Sequence, residues 1–268
     1  MLSEGRRYVE EKDRTEIDLR GFETALEALD KELSKDAFIT AFAPIQLLCS
    51  GEFLCLKYLK CRNTAFELDF LLDPEWSKDE DIKTPLYASM ATITHQLGYD
   101  AEWLNEDMGL FVTKSSRTRL LECAKKQGIV LFRGENVVIY GAPMEWALER
   151  KIRRIYASGK LDKREPDVGD ALAIMKWIRE RDGKQLEREF IRTLNLSTFD
   201  MVPDGQTMEL LAEAYLERYG EEIFRPGSHL PNDYHHHHHT YDANYPNHPS
   251  NQTNFSILYG LPGRSSMG

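Results

Sequence analysis

Long apolar runs are missing from this chain of 268 residues. No stretch approaches the roughly 20 apolar residues that a membrane-crossing helix needs. The N-terminus, MLSEGRRYVEEKDR, has no apolar segment of the kind that opens a secretory signal. A membrane role is not expected, and a cytoplasmic location is. Cysteine is scarce too: Cys49, Cys55, Cys61 and Cys123 stand without any CxxC spacing, which excludes the common zinc-ribbon arrangements and reads as buried thiols of a reducing compartment. Basic charge falls short of acidic, 34 residues against 44, for a net charge of −10. A chain of that sign is not generally drawn to nucleic acid, so DNA is not an expected partner and any RNA would need a local basic patch. Internal repeats are absent.

What remains is a 41% hydrophobic chain, enough to bury a core as one or two domains. After a charge-dense start to about residue 18, Phe22, Leu26, Leu29 and Leu33 recur at helical spacing. Pro44 breaks that pattern and Ile45–Cys49 reads as a buried strand. A polar loop is expected from Asp73 to Lys83, then a helix marked by Leu86, Met90, Ile93 and Leu97 and ended by Gly98. Ser115 or Ser116 can cap a further helix that runs to Lys126. Ile129–Phe132 and Val137–Tyr140 follow as a hairpin. Pro143 suits the first turn of a helix reaching Ser158, and Asp167 suits the N-cap of one ending at Gly183. Helices over Leu186–Leu194 and Met208–Tyr219 complete a C-terminal helical layer. From about residue 225 the composition turns to Gly, Pro, Asn, Ser and His, including His235–His239, and reads as a disordered tail.

The stretch that carries chemistry is Leu47–Leu72, LLCSGEFLCLKYLKCRNTAFELDFLL. It reads as strand, glycine turn, helix, strand. In the last segment Phe66, Leu68 and Phe70 alternate with Glu67 and Asp69, so the two carboxylates would share one strand face about 7 Å apart. A pair so placed can hold a divalent cation. Gly51 lets the chain turn sharply into the next helix, whose free N–H groups attract anions. Glu52 in that first turn favours the helix dipole but opposes a phosphate. Arg62 can pair with Glu67 or with phosphate, the former being the primary expectation.

Ser50-Gly51, Arg62, Thr64 and Glu67-Leu68-Asp69 resemble the pattern of the nucleotidyltransferase superfamily. The similarity is greatest to its small bacterial and fungal branch related to abortive-infection toxins. Glu102-Trp103-Leu104-Asn105 resembles a further element of that branch, as do the helix carrying Pro143, Glu145 and Lys151 and the acids Asp167 and Asp170. The resemblance covers roughly residues 40–200.

It implies a mixed α/β nucleotidyltransferase-like core over residues 20–142, a helical subdomain over 143–224 and the tail over 225–268. It also implies that Glu67 and Asp69 hold Mg²⁺ or Mn²⁺ as catalytic ligands. Ser50, Gly51 and Thr64 would bind a nucleoside triphosphate, with Lys151 offsetting its charge from across a cleft. The function implied is transfer of a nucleotidyl group to an acceptor, with tRNA or a protein as candidates and the basic helix Arg150–Arg154 as the place for an acidic partner. A second reading stays open, a catalytically degenerate fold serving as a nucleotide-sensing or protein-binding module. Ser50 replaces the commoner glycine and Glu67 the commoner aspartate. The strand Val137–Tyr140 lacks the usual third carboxylate, and Glu135 just before it is the nearest acid.

Overall fold

The computed structural model describes residues 14–197 and 201–227. The fold is a mixed α/β one, with a five-stranded mixed sheet accompanied by helices. It divides into two units, Met1–Asp107 with Leu131–Ile139, and Met108–Val130 with Tyr140–Gly268. The expected tail, with His235–His239 and most of residues 225–268, lies outside the described residues, as do residues 1–13.

The first unit opens with β1 (Ile17–Asp18) and α1 (Leu19–Leu33). At the end of the charge-dense start of the chain, Ile17 and Asp18 pair antiparallel with Ala65 and Thr64 of β3 (Thr64–Ala65). Asp18 is also the N-cap of α1, its side chain accepting the Gly21 N–H at 2.8 Å. The apolar stripe of α1 is buried as its spacing predicts. A short α2 (Ala37–Phe42) precedes β2 (Ile45–Ser50).

The helix expected after Gly51 is α-helical only in α3 (Glu52–Leu54). Cys55–Leu59 widens into a π turn, closed by Lys60 at φ 55°. After the return loop comes β4 (Leu68–Leu72), then α4 (Glu80–Leu97) and β5 (Leu104–Asn105). The polar segment read as loop to Lys83 gives way to helix at Glu80. Asp79 caps it by accepting the Asp81 N–H at 3.0 Å, and the acids in the first turn suit the helix dipole. The hairpin strands are β6 (Val130–Arg133) and β7 (Val137–Gly141). The sheet order is β5-β4-β2-β7-β6.

An aromatic core forms where α1, α3 and the segment before β5 meet. Phe22 lies 5.0 Å from Phe53 and 6.2 Å from Trp103, ring centre to ring centre. Trp103 is buried in the core with its indole N–H donating to Thr94 Oγ1 at 2.7 Å. Asp30 of α1 locks the hairpin. Its carboxylate accepts the backbone N–H groups of Glu135 (3.0 Å), Asn136 (2.8 Å) and Val137 (3.1 Å). Gly134 is required there, because a Cβ would stand 2.3 Å from the Asp30 carboxyl carbon.

The second unit is helical. Its members are α5 (Lys114–Gln127), α6 (Met144–Ser158), α7 (Pro166–Asp182), α8 (Arg188–Arg192) and α9 (Gly205–Tyr219). Three N-termini differ from expectation. Thr113, not Ser115 or Ser116, caps α5 by accepting the Ser116 N–H at 3.2 Å. Pro143 is the N-cap residue of α6 rather than part of its first turn. Pro166 takes the first position of α7, where its missing N–H costs nothing, so Asp167 lies inside the helix and Glu165 is the cap residue. The helix expected over Leu186–Leu194 shrinks to α8, because Leu186 instead bonds the returning chain. Its N–H donates to the Ile223 carbonyl and its own carbonyl accepts from Arg225, both at 2.9 Å, so Arg225 belongs to the fold and not to a tail. Cys49, Cys55 and Cys123 are buried as expected, whereas Cys61 is exposed.

Replacing Asp30 by Ala leaves three backbone donors of the hairpin turn without their carboxylate. Urea denaturation should show a loss of about 2–3 kcal/mol. A loss under about 0.5 kcal/mol would mean that water replaces the carboxylate at no cost.

Candidate functional site

In the first unit the candidate residues gather at one end of β4. Antiparallel pairing sets Ser50 opposite Asp69, and parallel pairing sets Asn105 opposite Asp69 on the other side. Three polar residues thus form a row across three strands at the sheet's C-terminal end of β2 and β5. Ser50 and Asp69 are buried, at 1% and 7% exposure. The chain leaves β2 through Gly51 at φ 87° and ψ −142°, a backbone state that strains any residue with a Cβ. A Cβ at Gly51 would stand 3.0 Å from Asp69 Oδ2. The glycine therefore serves two needs, the turn itself and the close approach of an acid to bare backbone.

Glu67 stands just ahead of β4 rather than in it, which corrects the expected strand over residues 66–70. The cause is Glu52. Its carboxylate accepts the N–H groups of Phe66 (2.9 Å) and Glu67 (3.3 Å), taking both donors out of any strand ladder, and it receives Arg62 Nη1 at 3.2 Å. Glu52 is thus the tie of the return loop, a role its place in a helical first turn did not reveal. The Arg62 guanidinium is bound to this tie. Glu67 keeps a carboxylate near Asn105 Nδ2 (3.3 Å) and Arg14 Nη1 (4.0 Å). Thr64 contributes its backbone to the ladder with β1 and is half-buried.

Asn105 forms a turn, its Oδ1 accepting the Asp107 N–H at 3.2 Å. It also lies in the row with Asp69 and donates to Glu67, which makes it a member of the site. Glu106 was missed altogether. One oxygen accepts the Leu72 N–H at 3.2 Å and the other the Tyr87 hydroxyl, so it fixes the far end of β4 to α4. Neither role has a sequence signature, since both depend on β5 lying beside β4. β7 carries no acid, and Glu135 is exposed in the hairpin turn.

Lys151 belongs to the second unit. Its side chain is 3% exposed, and its ammonium lies 2.9 Å from Asp170 Oδ2 and 3.1 Å from Asp167 Oδ1. Asp170 is thus paired with Lys151 in the interior. The basic helix as an exposed patch is not observed. α6 is buried on most of its circumference, including Glu145, Glu149, Lys151 and Arg153. Glu145 bonds Arg181. Glu149 accepts the Leu196 N–H at 2.5 Å and the Ser197 hydroxyl at 2.7 Å, with Arg153 Nη1 at 3.5 Å. Burial pushes Glu149 above the ordinary carboxylate range, against the opposing pull of Arg153 and these donors. Of the expected patch, Arg154 remains half exposed, 3.4 Å from Asp167 Oδ2, and Arg150 lies over the Trp146 ring.

No protein-family model matches the chain, and neither a curated protein nor a solved structure matches it significantly. Among the described residues no helix is long and apolar enough to cross a membrane.

Exchanging Lys151 for Met removes a buried cation from between two carboxylates, one of them only 2% exposed. The expected loss is about 3–5 kcal/mol, against under about 1 kcal/mol for Arg154→Gln at its exposed position. Equal losses in thermal and urea unfolding would contradict the assignment of Lys151 to the interior.

Proposed function

We propose that the first unit binds a nucleoside triphosphate together with Mg²⁺ or Mn²⁺ and passes a nucleotidyl group to an acceptor hydroxyl. The observation that carries this reading is the approach of Asp69 to Gly51, which puts a buried acid beside a Cβ-free turn. A phosphate can reach bare backbone there, beside a carboxylate that would hold a cation. The donors on offer are hard oxygens from Asp69 and Glu67, the set that suits Mg²⁺ or Mn²⁺. When bound, the cation would neutralise phosphate charge and polarise the reacting centre.

The chain's own residues have defined tasks in this reading. Asp69 and Glu67 would hold the cation. Ser50 and Gly51 receive the triphosphate, with Thr64 at the edge of the return loop. Asn105 orients Glu67 through its amide. The acceptor hydroxyl oxygen would bond the α-phosphorus and give up its proton to solvent, while the bond from that phosphorus to the bridging oxygen breaks and pyrophosphate leaves. Alignment and charge stabilisation supply most of the acceleration in such chemistry. Lys151 has no part in this reading, since two carboxylates of its own unit hold it. A protein or tRNA would serve as acceptor.

One observation favours the second reading, a nucleotide-binding module without catalysis. β7 presents only apolar side chains and glycine apart from Tyr140, so a third carboxylate has no place in that strand. Calorimetry with ATP and GTP separates the possibilities. The wild type should bind in the presence of Mn²⁺, and the variant Glu67→Gln with Asp69→Asn should lose that binding while staying folded. Equal affinity in both proteins, or no Mn²⁺-dependent binding in either, would end the metal-site proposal. Binding without pyrophosphate release would favour the module.

A further inference from the structure

The acid at position 67 already faces a cation supplied by the chain. Arg14 Nη1 lies 4.0 Å from Glu67 Oε2, and Arg14 Nη2 lies 3.7 Å from Glu102 Oε2. The arginine side chain is about one third exposed, at 32%, and Glu67 is 21% exposed. Three neighbours place the arginine. Thr15 N–H donates to Asp100 Oδ2 at 2.9 Å, Ile17 and Asp18 pair with β3, and Asp18 caps α1. The N-terminal arm is therefore anchored on both the return loop and the segment before β5, with Arg14 reaching between two carboxylates. A guanidinium at these distances, in a partly exposed pair, is held weakly enough to exchange for another cation.

We propose that Arg14 is a built-in counter-ion of the metal site, which holds Glu67 and Glu102 until a divalent cation displaces it. This rests on the proposed metal site at Glu67 and Asp69 and adds its regulation. Without metal, the arginine offsets the repulsion between neighbouring carboxylates and keeps the site from binding cations indiscriminately. When a divalent cation arrives at Glu67, two positive groups compete for one carboxylate and the guanidinium withdraws. The Arg14 side chain is then free to move or to meet the phosphates that come with the metal. Metal occupancy is in this way coupled to the position of the Arg14 side chain.

Mn²⁺ binding to the full chain, followed by electron paramagnetic resonance of the free ion, tests the competition without any turnover. The double variant Glu67→Gln, Asp69→Asn gives the background from other sites, His235–His239 included. Arg14→Gln should bind Mn²⁺ about two- to five-fold more tightly than wild type, the range that a half-exposed ion pair allows. Arg14→Lys keeps the charge and should stay near wild type. Arg20→Gln removes the same charge from an exposed position on α1 and should change affinity less than Arg14→Gln does. Equal affinity in wild type and Arg14→Gln, both above background, would overturn the counter-ion role and leave the metal site standing. Mn²⁺ binding no stronger than background in every protein would overturn both.

Discussion

A single carboxylate, that of Glu52, governs how the first unit is built around its candidate site. It stands one residue after the turn at Gly51 and is only 13% exposed. With two backbone N–H groups and a guanidinium bound to it, it fastens the loop that leads back into β4. Charge-assisted bonds of this kind are roughly twice as strong as neutral ones. Because Phe66 and Glu67 give their N–H groups to Glu52, β4 can begin only at Leu68. Along the strand from that start, Asp69 lies opposite Ser50 and beside Asn105. The same residue accounts for the lack of a longer strand.

The second unit meets a different constraint. α6 is buried nearly all round although it carries several charges. Each charge must then find its counterpart inside. Lys151 finds Asp167 and Asp170, Glu145 finds Arg181, and Glu149 finds Arg153 with two hydrogen-bond donors. Such pairs stabilise mainly by comparison with a broken pair, and they favour one arrangement of the helices over others. A basic run on a helix is therefore no measure of surface charge until burial is known. In the interior these residues are cross-links between helices.

The periodic parts of the chain were legible from its sequence: the stripe of α1, the apolar β2 and β7, and helices ended by Gly98, Gly128, Gly159 and Gly183. Each rests on local chemistry, a repeat of 3.6 or 2 residues or a glycine in the left-handed region. The turn at Gly51 and the acid at Asp69 were legible for the same reason. Glu52, Asn105, Glu106 and Arg14 were not read as parts of the site, because their roles come from partners distant in sequence. Asp30 holds a hairpin more than 100 residues away, a contact that no spacing along the chain announces. Buried charge was the largest gap, since Lys151 and Arg153 look like any solvated basic residues until α7 and the 194–197 segment close on them.

Whether the approach of Asp69 to Gly51 is a metal and phosphate site is tested most directly by crystals grown with Mn²⁺ and a non-hydrolysable triphosphate. The expected result is an anomalous peak at bonding distance from carboxylate oxygens of Asp69 and Glu67, with phosphate oxygens against the Gly51 backbone and the Arg14 side chain moved off Glu67. Manganese and triphosphate lodged elsewhere, with Asp69 and Arg14 unmoved in a fully occupied crystal, would contradict it.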